Sequence, residues 1–214
     1  MSKNNREGVF ERCGAVLKGH FVLAFMEHSD TYLEKASLYR NPVIFEELCL
    51  QMAREVASKS INIDVVAGPA PIGAVLAQRV AYHLGGIYRK VVVPLFTEKD
   101  KTGHHVLRRN FAKYFAGKDV LVVDDIMISG KSARQLIKAA TLAQGRVVAV
   151  AVICNRGDIG PENLYGFPVT SLLKMKLKAW LEGVCPLCRA RVPISADIGR
   201  GREFLESHPG YPVK

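Results

Sequence analysis

Residues 120–137 read VLVVDDIMISGKSARQLI. Four apolar residues run into the adjacent acids Asp124 and Asp125, further apolar residues follow, and then comes the polar string Ser129-Gly130-Lys131-Ser132. Two carboxylates at the end of a strand with no polar alternation are costly to desolvate unless they hold something. The string after them stands where a tight loop meets the first turn of the next helix, a natural cradle for phosphate. Gly130 permits close approach, and the backbone N–H groups and serine hydroxyls donate. The acids can accept hydrogen bonds from vicinal hydroxyls or hold a hydrated Mg²⁺. A sugar phosphate with a neighbouring diol carries all of these groups. The bland competitor, ordinary helix-start acids and a plain glycine turn, does not account for buried strand, acids and glycine loop occurring together. The long glycine spacing of a P-loop is missing.

Outward from this stretch, strand and helix patterns alternate. Residues 42–59 carry Val43, Ile44, Leu48, Met52 and Val56 at helical spacing, with acids early. Residues 64–67 form a short apolar strand ending at Gly68-Pro69, and residues 72–84 a helix stopped by Gly85-Gly86. Residues 88–96 are expected as a second strand, 97–118 as a long polar and basic loop, and 120–123 as a third strand. A helix is expected over 132–143, with further strands over 146–154 and 169–173. Continuous Val/Ile/Leu strands separated by helices predict an α/β fold, a parallel sheet covered on both faces. Ligands in such sheets bind at the carboxyl ends of the strands, where Gly68-Pro69, Asp124-Asp125 and Asn155-Arg156 all fall. The flanks break the alternation and are expected to form a small cap: residues 1–40 and 174–214, around a core of 41–173.

The totals narrow the function. With 30 basic and 20 acidic residues the formal charge is +10, which draws anionic ligands. Basic residues never run longer than two together and are not interleaved with aromatics, so a dedicated nucleic-acid surface is the weaker reading. The longest apolar run, residues 147–154, is far short of the ~20 residues of a membrane span. The N-terminal MSKNNREGVFERCG lacks the apolar stretch of a signal peptide. Five cysteines, an odd number thinly spread, suit reduced thiols and a cytoplasmic location. Cys185-Pro-Leu-Cys188 supplies half of a structural zinc site, with no second pair at suitable spacing, and is read as structural or unassigned.

The strand, the two acids and the short hydroxyl-glycine loop closely resemble the signature of type I phosphoribosyltransferases. In that family the acids bind the ribose hydroxyls of 5-phosphoribosyl-1-pyrophosphate (PRPP) and the loop binds its 5′-phosphate. Ile128 departs from the pattern, which usually has a hydroxyl residue there. The resemblance extends over most of the chain and points toward the orotate-using branch. Gly19–Leu23 followed by His28-Ser29-Asp30-Thr31-Tyr32 is similar to the cap motif of bacterial members. Gly68-Pro69-Ala70, with Gly73, Leu76 and Ala77, resembles the loop that approaches the pyrophosphate. Glu98-Lys99 and Leu107-Arg108-Arg109 bracket a segment similar to the mobile catalytic loop. Arg156 stands where the family has an arginine on orotate's carboxylate, and Cys185-Pro-Leu-Cys188 resembles a motif of one branch. At Phe25-Met26-Glu27 the family carries Ser-Gly and a basic residue; an acid replaces the base here.

The resemblance implies a Rossmann-like core with a cap, and a Mg²⁺-dependent transfer of ribose 5-phosphate from PRPP to a base. PRPP contacts are expected from Gly68, Pro69, Ala70, Arg108, Asp124, Asp125, Ile128, Ser129, Gly130, Lys131 and Ser132. Lys99, Lys101 and His105, with the two acids, are expected to carry the catalysis. The base is expected against His28, Ser29, Tyr32, Lys35 and Arg156, and Mg²⁺ on Asp124 and Asp125 through water or PRPP. A homodimer is expected too. The other readings are transfer to a different base, or a PRPP-sensing regulator that binds nucleic acid.

Overall fold

The computed structural model describes residues 3–214, with side chains from Gly8 onward. Residues 1 and 2, the start of the expected N-terminal cap segment, lie outside the described residues. The chain divides into two compact units: one made of the segments up to Asn41 and from Lys176 onward, the other of Pro42–Met175.

The first segment carries helix α1 (Lys3–Arg12), strands β1 (Val16–Val22) and β2 (His28–Leu33), and the short helix α2 (Ala36–Tyr39). β1 and β2 pair antiparallel, with Val16 opposite Leu33 and Val22 opposite His28. Phe25-Met26-Glu27 forms the tip of this hairpin. Leu23 N–H donates to the Glu27 carbonyl at 2.7 Å, and Met26 takes a left-handed φ of 58°.

The larger unit runs α3 (Pro42–Ala57), β3 (Val65–Pro69), α4 (Ile72–Tyr88), β4 (Val93–Lys99), β5 (His105–Val106), β6 (Asp119–Met127), α5 (Lys131–Leu142), β7 (Arg146–Asn155) and β8 (Val169–Lys174). Its six strands lie in the order β5-β4-β3-β6-β7-β8. All neighbours pair parallel except β5, which is antiparallel to β4. In α3 the buried positions are Phe45, Leu48, Cys49, Met52, Ala53 and Val56, a stripe at steps of three and four. Val43, expected in that stripe, is exposed, because the face that turns inward runs through Phe45. In α5, Ala133, Leu136, Ile137 and Ala140 form the equivalent stripe. β6 is buried along almost its whole length, as befits a central parallel strand covered on both faces.

Two sequence expectations fail here. The helix predicted to stop at Gly85-Gly86 continues to Tyr88, whose hydroxyl donates to the Ile61 carbonyl at 2.8 Å. The turn comes instead at Arg89, in the left-handed region at φ 55°. Tyr88 therefore ends a helix and does not begin a strand. Residues 97–118 are not one loose loop either. β4 runs on to Lys99, β5 folds back against it, and a 3₁₀ turn follows at Phe111–Tyr114. Asp100 closes the hairpin, its Oδ1 accepting from Thr102 N–H at 2.8 Å and His104 N–H at 2.9 Å. Leu107 and Phe111 pack onto the core cluster of Val120, Val122 and Leu136, which is why the segment folds down.

The C-terminal segment returns to the smaller unit with the short helix α6 (Pro186–Arg189), strand β9 (Ile194–Gly199) and helix α7 (Gly201–Ser207). β9 pairs parallel to β1, giving a three-stranded sheet in the order β2-β1-β9. Val22, Ile194 and Phe204 form a buried apolar cluster there, and Phe10, Phe21, Leu33 and Leu38 are buried in the same unit. Among the described residues, no helix is long and apolar enough to cross a membrane.

Candidate active site

The chain moves from β3 outward to β4, then returns to the other side of β3 to lay down β6, β7 and β8. β3 and β6 are therefore neighbours whose following connections leave in opposite directions, and such a switch point opens a crevice at the strands' carboxyl ends. The pairing shows it opening. β3 stays in register with β6 only to Ala67 opposite Val122, while β3 continues beside β4 to Pro69 and β6 beside β7 to Met127. The last residues of β6 thus line one wall.

Asp124 and Asp125 sit on that wall, only 9% and 6% exposed. Each carboxylate accepts from the next backbone N–H: Asp125 N to Asp124 Oδ1 at 2.9 Å, and Ile126 N to Asp125 Oδ1 at 2.6 Å. Beyond them the turn enters α5. Gly130 has φ 70°, a conformation that favours glycine, and its carbonyl accepts the first helical hydrogen bond from Arg134 N at 2.9 Å. The N–H groups of Ser132 and Ala133 precede that bond and belong to the helix's unsatisfied first turn. Asp124, Ile126, Met127, Ile128, Ser129, Gly130, Lys131 and Ser132 line one pocket of about 270 Å³. Acids at one end and amide donors at the other give it the polarity that a sugar phosphate requires. A larger groove of about 420 Å³ beside Val106, Leu107 and Leu142 is mostly hydrocarbon and lacks that polarity.

Backbone contacts fix the neighbouring loops. A Cβ on Gly68 would lie 2.2 Å from the Gly73 carbonyl oxygen, so the Gly68-Pro69-Ala70 turn meets α4 backbone to backbone. A Cβ on Gly157 would lie 1.6 Å from the Ile128 oxygen. The same two loops are joined by Arg156 N to the Met127 carbonyl at 2.8 Å and Gly157 N to it at 3.2 Å. Arg156 is half-buried, one residue past Asn155, which stands in register with Met127.

Of the expected cations, Lys99, Lys101 and Arg108 are exposed along the β4–β5 hairpin and the segment after it. Arg108 and Arg109 both reach Glu98, at 3.5 and 3.0 Å. His105, expected in the catalytic set with those lysines, differs from them in its surroundings. It is buried, its Nδ1 lies 3.2 Å from Thr97 Oγ1, and burial and then the Lys99 charge lower its pKa below 6.5. In this conformation it is a neutral imidazole.

Apart from Arg156, the expected base-binding residues lie in the smaller unit. Lys35 is exposed and Tyr32 half-buried, packing its ring 5.5 Å from Phe21. Ser29 is buried and donates its hydroxyl to the Thr31 carbonyl at 2.8 Å. His28 is 0% exposed, 2.7 Å from His20 and 3.3 Å from Cys188 Sγ. Its ring therefore faces the interior of that unit, and the expectation that it contacts the base is corrected on that ground.

A family model described as "Phosphoribosyl transferase domain" matches residues 36–184. The chain belongs to the phosphoribosyltransferase family. It is 34% identical over 194 residues to an orotate phosphoribosyltransferase of Caldanaerobacter subterraneus, covering 91% of this chain and 96% of the relative. It is 38% identical over 191 residues to an orotate phosphoribosyltransferase of Acidithiobacillus ferrooxidans, covering 89% and 93%. The crystal structure of orotate phosphoribosyltransferase from Aeropyrum pernix matches with a TM-score of 0.63 at 24% identity, covering 78% of this chain and 92% of that one, and shares the fold.

Three residues support this candidate site in ways that the sequence reading did not assign to them. Arg134 Nη1 donates to the Ser129 carbonyl at 2.9 Å and to the Asn163 carbonyl at 3.3 Å, pinning the turn from behind. Asn155 holds the next loop, exchanging side-chain bonds with Ile159 N–H and carbonyl at 3.0 and 2.8 Å. Gly157 permits the close approach of the two loops. Only Gly157 carried a sequence signal, a glycine just past a strand end; the others depend on which loops meet.

Proposed function

We propose that this phosphoribosyltransferase transfers ribose 5-phosphate from PRPP to orotate, giving orotidine 5′-monophosphate and pyrophosphate. The observation that carries the donor half is the buried Asp124–Asp125 pair at the switch point, directly ahead of the glycine turn and the open first turn of α5. The acceptor half is supported by relatives named orotate phosphoribosyltransferase that align over about nine-tenths of both chains.

In this reading Asp124 and Asp125 accept from the ribose 2′- and 3′-hydroxyls. The N–H groups and hydroxyls of residues 129–132 grip the 5′-phosphate, with Lys131 adding charge. The backbone of Gly68-Pro69-Ala70 approaches the pyrophosphate. Lys99, Lys101 and Arg108 meet its charge as it leaves, and Arg156 pairs with the orotate carboxylate. The C1′–O bond to pyrophosphate breaks, a ring nitrogen of the base bonds to C1′, and that nitrogen gives up its proton. The transition state resembles an oxocarbenium ion, so geometry, charge neutralisation and exclusion of water matter more than a protein nucleophile. Paired carboxylates at a polar crevice suit Mg²⁺, a hard cation that prefers oxygen donors and retains water. Asp124 and Asp125 would hold it through water or the substrate's hydroxyls, and it would supply charge neutralisation at the pyrophosphate. The five cysteines carry no disulfide, which suits a cytoplasmic enzyme. A homodimer, implied by the family, belongs to the same reading and is tested by light scattering.

The deciding experiment follows the absorbance of orotate with PRPP and Mg²⁺, beside parallel reactions with uracil, adenine, guanine and hypoxanthine. Turnover of orotate alone is expected. Turnover of another base without orotate refutes the acceptor, and PRPP binding with no turnover of any base refutes the enzyme reading.

A further inference from the structure

In the smaller unit four side chains from three separate segments converge: His20 of β1, His28 of β2, and Cys185 and Cys188, the first capping the short helix α6 and the second within it. Their donor atoms all lie within 4.8 Å of one another. His20 Nε2 is 2.7 Å from His28 Nδ1 and 3.8 Å from each sulfur, and Cys188 Sγ is 3.3 Å from His28 Nδ1. A tetrahedral ion with bonds of about 2.0–2.3 Å separates its ligands by roughly 3.3–3.8 Å. Three of these four distances already fall in that range; the two imidazoles must part, and the widest separation of the set, up to 4.8 Å, must close by about 1 Å.

The strand register produces the convergence. Val22 stands opposite His28 in the β1–β2 pair, and His20 lies two residues before Val22, at the bulge between Lys18 and Phe21 that re-aims its side chain. The knuckle Cys185-Pro-Leu-Cys188 then supplies two sulfurs from more than 150 residues away. His20 and His28 are 1% and 0% exposed, Cys185 is 0% exposed, and Cys188 is half-buried.

Hydrogen bonding orients the ring of His20. Its Nδ1 lies 2.8 Å from the Val192 carbonyl, which requires the N–H at that nitrogen and leaves the lone pair at Nε2, aimed at the other three groups. A histidine that gives its far N–H to a carbonyl is the usual support of a metal ligand. His28 Nε2 is buried without a hydrogen-bond partner, while its Nδ1 faces the cluster.

We propose that His20, His28, Cys185 and Cys188 form a structural Zn²⁺ site that ties the N-terminal hairpin to the C-terminal segment. Two thiolates and two imidazoles are a donor set that Zn²⁺ favours, and four protein ligands leave no open position for catalysis. A metal that joins the unit's two chain segments adds to folding free energy directly. Binding releases the thiol protons. The four ligands belong to the smaller unit, whereas the residues assigned to PRPP belong to the larger one.

The test uses the full chain, purified with reductant and without added metal. Elemental analysis is expected to find a single zinc ion per chain. After chelation, Co²⁺ titration is expected to give the intense visible bands of tetrahedral cobalt and a thiolate-to-cobalt charge-transfer band. Cys188→Ser should weaken Zn²⁺ binding by more than the roughly 10–100-fold that loss of a supporting residue produces, whereas Cys13→Ser should leave it unchanged. The wild-type cobalt spectrum decides the matter even if Cys188→Ser does not fold. A weak octahedral spectrum, zinc far below one per chain after reconstitution, or a Cys185–Cys188 disulfide in a reduced preparation that takes up no cobalt each overturns the proposal.

Discussion

Replacing Gly157 by alanine should damage the PRPP site without touching any of its chemical groups. The added Cβ falls 1.6 Å from the Ile128 carbonyl oxygen, against a closest tolerable approach of 3.0 Å, so the loops after β6 and β7 must part by about 1.4 Å. Backbone lies on both sides, and no flexible side chain can yield instead. Gly157 does not have a positive φ, so alanine brings no conformational strain and the clash acts alone. Parting the loops stretches Arg156 N and Gly157 N off the Met127 carbonyl, now at 2.8 and 3.2 Å. Two backbone bonds at about 0.5–1.5 kcal/mol each put the cost at roughly 1–3 kcal/mol. For a chain of this size about 2 kcal/mol corresponds to a loss of roughly 4–8 °C in Tm.

The site should suffer more than the fold, because the displaced loop carries Ile128 into the cradle and Arg156 beside it. A misplacement near 1 Å costs about 10²-fold in rate. The assay is kcat/KM for PRPP at saturating orotate, with thermal unfolding on the same samples. Gly86→Ala serves as the control: it lies in α4, nothing stands within 4 Å of its Cβ, and alanine there should stabilise by about 0.5–1 kcal/mol. A Gly157→Ala enzyme with kcat/KM within twofold of wild type would refute the claim that this backbone approach sets the cradle.

Asp125→Asn should lower kcat/KM for PRPP by about 10–100-fold, the loss of one charge-assisted hydrogen bond of about 1.5–3 kcal/mol, with the fold retained; unchanged activity would show that the acidic pair does not hold the ribose. Arg108→Ala should raise KM for PRPP while shifting stability by less than about 1 kcal/mol, since its pairing with Glu98 is an exposed one; a large fall in Tm with unchanged KM would make it a structural residue. His105 is held neutral in the fold, its pKa below 6.5, while the unfolded chain titrates near 6.5. Between those two pKa values the unfolded state binds more protons, so this residue's contribution falls as pH falls, by at most about 1.4 kcal/mol per pH unit. His105→Gln should flatten the acid-side decline in thermal stability just below pH 6.5; an identical slope in both proteins would refute the assignment.

Much of the donor site was legible because its grammar is local. An apolar strand, two acids, a glycine turn and an amphipathic helix succeed one another within 18 residues, and the strand-end rule supplied the rest. Errors arose where local signals were ambiguous. Gly85-Gly86 resembled a helix stop, but Tyr88 anchors one more turn through its hydroxyl. The basic stretch after Thr97 resembled a free loop, but Leu107 and Phe111 draw it onto the core.

The sequence by itself determined the α/β alternation, the acidic pair at a strand end and the glycine turn into the next helix, since each depends on residues a few positions apart. Only the tertiary structure decided which loops touch, which cations are exposed, and that His105 is neutral. It also decided that His20 and His28 complete the half-site at Cys185 and Cys188. That last assembly joins residues as much as 168 positions apart through a strand register and a returning C-terminal segment. Spacing along the chain encodes periodicity, whereas convergence across such a separation depends on how the sheet pairs and what it buries.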